Sequence, residues 1–362
     1  MRFFLSEIRD FFRTKSVYRV LFLVIVFFYA LFLLMQKAAP IKHDLEETST
    51  EEQTLNKETV LNTDFVLKKI SEHPENAVLL EVSVVAFLAL FSFGVFLEFS
   101  AVRHFRMTGD FIHDSGYLSL VPWGIADVFK VTILFFSAAL ILNVLLSVVH
   151  LVVKEMSRES LLLIHAAIVD LAAVGFIMLT VKKNGSKIRD LIGWHWSKIP
   201  WREIRLGIQT YVMIFPTFLM LVLLLVVIAN VFSYEPPPHP LVQIFMKEHA
   251  FSPWVIAFSL FLACVIGPVV EEIFFRGFFY PALKRYFSAG WAMAATAALF
   301  ALVHENLFSF VPIFFLGFVL CYLYEKRSSI VAPIFLHITH NLVFLGYFFL
   351  AKKFLVANFF GF

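Results

Sequence analysis

Cysteine is nearly missing from this chain: Cys264 and Cys321 are the only two in 362 residues. Both lie inside apolar runs, which argues against a disulfide framework, a thiolate-held metal or thiol catalysis. Charge is scarce too. Only 16% of residues are Asp, Glu, Lys or Arg, against 60% hydrophobic residues and 46 phenylalanines, and the mean hydropathy is +0.82, far above an ordinary soluble domain. No internal repeat is found, and the formal net charge of +3 is spread over short loops with no basic nucleic-acid stripe, so no nucleic-acid partner is expected.

What the chain has instead is long apolar runs. A bilayer core about 30 Å thick needs roughly 20 apolar residues per helix. Such runs recur at 20–35, 79–100, 127–153, 161–181, 206–233, 253–275, 290–304, 308–324 and 329–350. The fold class expected is all-α, a polytopic transmembrane helical bundle of about eight or nine spans. The first run is followed by a polar stretch without a small-residue cleavage site, so it reads as an anchor helix, not a removable signal.

Basic loops stay on the cytoplasmic side. Arg2, Arg9, Arg13, Lys15 and Arg19 place the N-terminus inside, and alternation then puts Arg103, Arg106, the segment 182–205, Lys284, Arg285, Lys326 and Arg327 inside as well. The setting expected is a bacterial cytoplasmic membrane. Residues 1–205 read as N-terminal membrane helices with an acidic outer loop (36–78) and a basic segment (182–205), whose Trp194, Trp196 and Trp201 suit an interfacial amphipathic helix. Residues 206–362 read as the functional core, with its catalytic part in the last four helices. The Pro-rich stretch 234–250 cannot be a regular helix through "PPP" and reads as an outer loop.

Ionisable groups among membrane helices are costly, about 2.5–3.5 kcal/mol each on insertion scales, and usually mark function. They concentrate late in the chain: Glu271, Glu272 and Arg276 in one run, His304 in the next, and His337, His340 and Asn341 in the last. Asp127, Lys130, His150, His165 and Asp170 are scattered without shared spacing and read as packing or interface residues. Residues four apart share a helix face, so Glu272 and Arg276 can pair, while Glu271 points about 100° away. That makes Glu271 the functional candidate and the Glu272/Arg276 pair its support. Gly267 leaves space one turn before Glu271, and Pro268 loosens the hydrogen-bond ladder.

Phe300 with His304, and His337 with Asn341, are again four apart. Counted at about 1.5 Å per residue from the inner helix ends, Glu271 and His304 lie roughly 20 Å deep and His337 and Asn341 roughly 12–18 Å deep. All four can meet in one layer, helped by the small-residue run "AMAATAA" before Phe300. His340 points off that face and Glu305 sits at a helix end, so both read as structural. Hydrolysis of a peptide bond needs an activated water and oxyanion donors, and this set contains both.

The ordered motifs E-E-x-x-x-R, F-x-x-x-H and H-x-x-x-N resemble those of the CPBP family, the CAAX-protease and bacteriocin-processing (ABI) intramembrane proteases, over about residues 253–350. The resemblance implies an all-helical membrane protease in which Glu271, with His304, acts as general base on a water, and His337 and Asn341 bind that water or the oxyanion. The substrate implied is a membrane-tethered or membrane-embedded peptide or protein near the cytoplasmic half of the bilayer. No cofactor is favoured; zinc on Glu271, His304 and His337 is the alternative. Only "AKKFLVANFFGF" follows the last motif helix, so the further C-terminal helix of some relatives is not expected. Two rival readings stay open, a non-catalytic immunity or scaffolding protein that binds a peptide, and a proton-coupled transporter, although the paired repeats usual for transporters are missing.

Overall fold

The computed structural model describes residues 1–38, 75–111, 120–153, 157–193, 201–234, 252–304, 306 and 308–354. Among these residues 88% are helical and none lies in a strand, so the protein is a polytopic helical membrane bundle. Eleven helices follow one another: α1 (Arg2–Thr14), α2 (Ser16–Ala38), α3 (Glu75–Thr108), α4 (Ile125–Val152), α5 (Arg158–Lys183), α6 (Ile188–Ile192), α7 (Trp201–Val231), α8 (Pro253–Lys284), α9 (Ala289–Leu302), α10 (Phe310–Arg327) and α11 (Val331–Phe354).

Each of the nine apolar runs falls in a helix, but six of the helices are long and apolar enough to span, or seven if the bent pair α1 and α2 counts as one. The two that fall short are α9 and α10. With 14 residues, α9 is about 21 Å long at 1.5 Å per residue, less than the apolar core. It stops because the chain turns at Val303 and His304, inside the layer where the polar residues collect. The 18-residue α10 ends in Glu325, Lys326 and Arg327, which dilutes its apolar content.

An interfacial element lies at the N-terminus. In α1, Phe4, Ile8 and Phe11 face inward while Arg2, Arg9 and Arg13 are exposed, and the helix meets α2 at 97°, the geometry of an amphipathic helix along the membrane surface. Within 182–205 the described residues form the end of α5, the short α6 and the start of α7, where Trp201 is exposed. Trp194, Trp196, Glu305 and most of the two outer loops lie outside the described residues.

Packing in lipid depends on close fit and on satisfied backbone groups, since lipid tails are as apolar as leucine. The α3/α7 crossing shows both. A Cβ on Gly94 would come within 2.5 Å of the Val212 carbonyl oxygen and 2.7 Å of Pro216 Cδ, so only glycine admits the approach. Pro216 interrupts α7 and disturbs the ladder around it. The next residue, Thr217, donates from its backbone N–H (3.3 Å) and its hydroxyl (2.6 Å) to Glu98 of α3, so a carboxylate in the membrane repairs a proline break.

The start of α4 is pinned to the end of α8. Trp123 Nε1 donates to the Phe278 carbonyl (3.0 Å) and Arg285 to the Pro122 carbonyl (2.8 Å). Glu7 of α1 accepts from the Ala126 N–H (3.1 Å) and from the Tyr286 hydroxyl. Burial, reinforced by the bond to Glu7, pushes the Tyr286 phenol up to about 12, so it stays a donor at neutral pH. One buried core thus joins α4, α5, α8, α9 and α10, and a second joins α7, α10 and α11. Deeper toward the basic end, Glu325 of α10 takes bonds from Tyr280 (2.9 Å) and Lys284 of α8.

Candidate active site

Helix α8 is not regular. Two π-helical turns, Leu262–Ile266 and Ile273–Phe279, bracket the α-helical segment Gly267–Glu272. Pro268 cannot donate to the ladder, and a π turn accommodates the extra residue; such turns gather at functional sites. The turn is used structurally. Asn341 of α11 donates from Nδ2 to the Ala263 carbonyl inside the first π turn, at 2.8 Å.

At the far end of the segment, Glu272 and Arg276 form an ion pair at 2.6 Å with both side chains fully buried. A buried pair recovers its desolvation cost only with good geometry and further partners. Arg276 has them: Nη2 donates to the Gly317 carbonyl of α10 (3.2 Å), and the guanidinium lies 4.4 Å from the Phe300 ring centroid. A Cβ on Gly317 would meet Phe300 Cδ1 at 3.0 Å and Ala297 Cα at 3.2 Å. Glycine therefore lets α10 come close enough to α9 to supply that carbonyl.

The bond that sequence reasoning missed is between helices. His337 Nδ1 lies 3.0 Å from Glu272 Oε1, the oxygen that also accepts from Arg276. An ionised carboxylate only accepts, so Nδ1 carries the proton and Nε2 is left facing Glu271. The Nε2 to Glu271 Oε2 distance is 3.8 Å. Glu272 therefore orients an imidazole as well as holding a guanidinium. Nothing in the local spacing of either motif shows this, because it depends on how α11 is rotated against α8.

Glu271 differs from its neighbour. Its side chain is 37% exposed, yet its Oε2 is buried and has no hydrogen-bond partner among the described residues. His304, in the turn after α9, places Nδ1 2.7 Å from the Phe300 carbonyl. A carbonyl only accepts, so this nitrogen too carries a proton, and Nε2 is the nitrogen left for another partner. The Phe300 ring touches both histidines, with centroid separations of 4.9 Å to His304 and 5.7 Å to His337. Glu271, Glu272, Arg276 and His337 are thus in direct reach, His304 joins them across Phe300, and Asn341 attaches beside them at the π turn.

The remaining polar residues divide clearly. His340 packs edge-on against Phe218 and Tyr211 of α7, while staying close enough to His337 and His304 for charges on them to interact. Asp127 accepts from the Gly124 N–H and from Asn184, and His165 bonds the Ala139 carbonyl; both roles are structural. Asp170 is the exception. On α5, which packs against α8, it lies close enough to Glu271 for the two charges to interact. Glu98, the proline repair in α3, was not singled out by spacing, although a lone glutamate in an apolar run opposite a helix proline is a readable signal.

The possible zinc donors can be judged from their geometry. Glu271, His304 and His337 are suitable in kind, but no three His, Cys, Asp or Glu side chains among the described residues gather into a metal-binding group. Each imidazole gives one nitrogen to a protein oxygen and keeps the other available, as ligating histidines do; it is their placement, not their chemistry, that forms no metal group among the described residues.

Comparison with known proteins points the same way as the motifs. Residues 253–343 match the family described as type II CAAX prenyl endopeptidase, Rce1-like. YdiL of Bacillus subtilis (strain 168), named as a candidate membrane peptidase, is 28% identical over 86 residues, 24% of this chain. The match spans 35% of that relative, about a third of its length. No solved structure matches. The matched stretch contains Glu271, Glu272, Arg276, His304, His337 and Asn341, the residues that the fold draws together between α8, α9 and α11. Over residues 253–343 this membrane protein is similar to the Rce1-like members of the CPBP family.

Proposed function

We propose that the protein is an intramembrane endopeptidase that hydrolyses a peptide bond of a membrane-tethered or membrane-embedded substrate near the cytoplasmic half of the bilayer. The observation that carries this reading is Glu271: partly exposed, with one oxygen buried and unpaired, 3.8 Å from His337 Nε2. A water about 2.8 Å from each of those atoms, off the line joining them, completes both. Glu271 takes a proton from that water as its oxygen attacks the peptide carbonyl carbon, and the proton passes to the leaving amine as the C–N bond breaks. His304, with Nε2 left for another partner, is suited to orient the water or relay the proton.

Asn341 has a second amide hydrogen beyond the one given to Ala263. It can meet the carbonyl oxygen as negative charge develops there. His337 presents Nε2 toward the same water and can help to hold it. No step is routed through a metal. The basic loops support a cytoplasmic N-terminus, and the likeness to a Bacillus subtilis protein supports a bacterial cytoplasmic membrane as its setting.

The test is direct. Purified full-length protein is incubated with a library of membrane peptides, and cleavage is mapped by mass spectrometry beside Glu271→Gln. Cuts by the wild type that vanish in the variant support the reading; binding without any cut moves the protein to the peptide-binding alternative.

A further inference from the structure

The packing of the N-terminal helices leaves Asp170 without a bonded partner. Asp127 and His165 are held within the bundle, whereas the Asp170 carboxyl, half-buried on α5, takes part in no hydrogen bond or ion pair among the described residues. It also lies outside the matched stretch 253–343, so no motif points to it.

Contact, face and depth together place it before Glu271. Helix α5 packs against three stretches of α8, Pro253–Phe261, Gly267–Glu272 and Ile273–Phe279. Asp170 stands one turn before Val174 and two before Ile177, which are set in the core shared with Ile273 and Phe275 of α8, so it belongs to the face of α5 that meets α8. At 1.5 Å per residue, Asp170 lies about 20 Å from Lys183 at the basic end of α5, and Glu271 about 20 Å from Lys284 at the basic end of α8. Those ends are neighbours: Asn184 bonds Asp127 at 3.3 Å, and the start of α4 is held by Phe278 and Arg285. The two carboxyls therefore share one layer, near enough for their charges to interact and yet not bonded to each other.

The space beside Glu271 is open. A Cβ on Gly267 would meet only its own helix, the Leu262 carbonyl at 3.1 Å and Glu271 Oε1 at 4.0 Å. His337, whose side chain is 4% exposed, aims Nε2 at Glu271 Oε2, the buried oxygen that has no hydrogen bond. No lysine or arginine among the described residues bonds either carboxyl. Arg276 is committed to Glu272 and to the Gly317 carbonyl, His304 stands across Phe300, and α4, which also packs on α5, has no charged residue between Lys130 and His150. Two carboxyls in one layer of a membrane core, with no cation between them, are most stable with a single proton shared by the pair.

Resting on the hydrolysis proposed above, we infer that Asp170 is a second catalytic carboxyl, the acid that protonates the leaving amine while Glu271 deprotonates the attacking water. Glu271 takes one proton from the water as its oxygen bonds to the carbonyl carbon. The C–N bond then breaks with its electron pair going to nitrogen, and nitrogen takes the proton of Asp170. The proton on Glu271 passes back to Asp170 to restore the starting state. The pair begins and ends with one proton, and what changes during the reaction is which carboxyl holds it. A helix of the N-terminal part thus completes a site whose other members all come from α8, α9 and α11.

The test uses purified full-length protein and a peptide that the membrane library shows to be cut, made as the natural amide and as a thioester in which sulfur replaces the nitrogen at the cut. A thiolate leaves without taking up a proton, and an amine needs one. Asp170→Asn should slow cleavage of the amide about 100-fold or more and spare the thioester, whereas Glu271→Gln should slow both. In resting protein at neutral pH the infrared band of a protonated carboxyl should be weaker in Asp170→Asn than in the wild type, a reading that needs no substrate. Equal slowing of both substrates by Asp170→Asn, as a structural role requires, or an unchanged band overturns the inference. If the wild type cuts no library peptide, the hydrolysis itself falls and the acid with it; wild-type cleavage of the amide that Asp170→Asn leaves unchanged overturns the acid alone.

Discussion

His337 Nδ1 and Arg276 Nη1 converge on one oxygen, Oε1 of Glu272, at 3.0 and 2.6 Å. A single buried carboxylate thus couples the last helix of the motif set to the first. The two adjacent glutamates, equal by composition, are separated by this arrangement into a holder and a candidate base.

Glu271→Gln keeps size and hydrogen-bonding capacity but cannot take a proton, so cleavage should fall about 100-fold or more while the protein stays folded. Glu272→Gln removes the charge that Arg276 and His337 share, and loss of one partner of a buried pair costs about 3–5 kcal/mol. Thermal unfolding in detergent, measured beside cleavage, separates the two. Near-normal cleavage by Glu271→Gln would sink the proposed base.

Asn341→Ala should lower kcat about 100- to 1000-fold with KM little changed, because an oxyanion donor acts mainly in the transition state. The bond to Ala263 provides an internal check. If weakening of α8 is the main effect, unfolding temperature falls and KM rises with kcat spared, which assigns Asn341 to architecture.

Phe300→Ala deletes the surface shared by Arg276, His304 and His337, and a Phe-to-Ala change in a packed core costs about 3–5 kcal/mol. Phe300→Leu keeps most of the volume and loses the ring face under the guanidinium. It should be the milder variant in unfolding and still impair cleavage. Equal stability of the two would show that the ring contributes volume alone.

Since Glu271, His304 and His337 do not gather as a metal-binding group, exhaustive chelation should leave cleavage intact, and elemental analysis of active protein should find well under one zinc per chain. Stoichiometric zinc, lost and restored together with activity, recasts the three residues as ligands.

Glu98→Leu should strand the two Thr217 donors beside Pro216, at about 1–3 kcal/mol for each unsatisfied group. Glu98→Gln keeps an acceptor and should recover most of the stability, a contrast that unfolding of the two variants in the same detergent decides.

Much of this was readable from spacing. The Glu272/Arg276 pair is an i,i+4 relation, and the motif residues announce themselves as polar groups in apolar runs. What could not be read requires two helices at once. The His337 to Glu272 bond depends on the rotation of α11 against α8, and the Asp170 to Glu271 approach on the docking of α5. The π turns also shift register inside α8, which a regular wheel does not show, although the Glu272/Arg276 pairing persists within the second of them. The short α9 was read as a span because its composition is apolar throughout; its end at Leu302 is set by the turn that carries His304. The amphipathic face of α1, built on phenylalanines, was not singled out, while the tryptophans 194 and 196 lie outside the described residues.

The bond from Tyr286 to Glu7 bridges 279 positions of sequence. At synthesis rates of about 5–20 residues per second, the first helix waits roughly 15–55 s before its partner exists. Its earlier attachment to the Ala126 N–H, only 119 positions away, offers a provisional berth during that interval. Biogenesis of this protein therefore closes a ring: the segment made first gains its second attachment only once the helix that carries the glutamates has emerged.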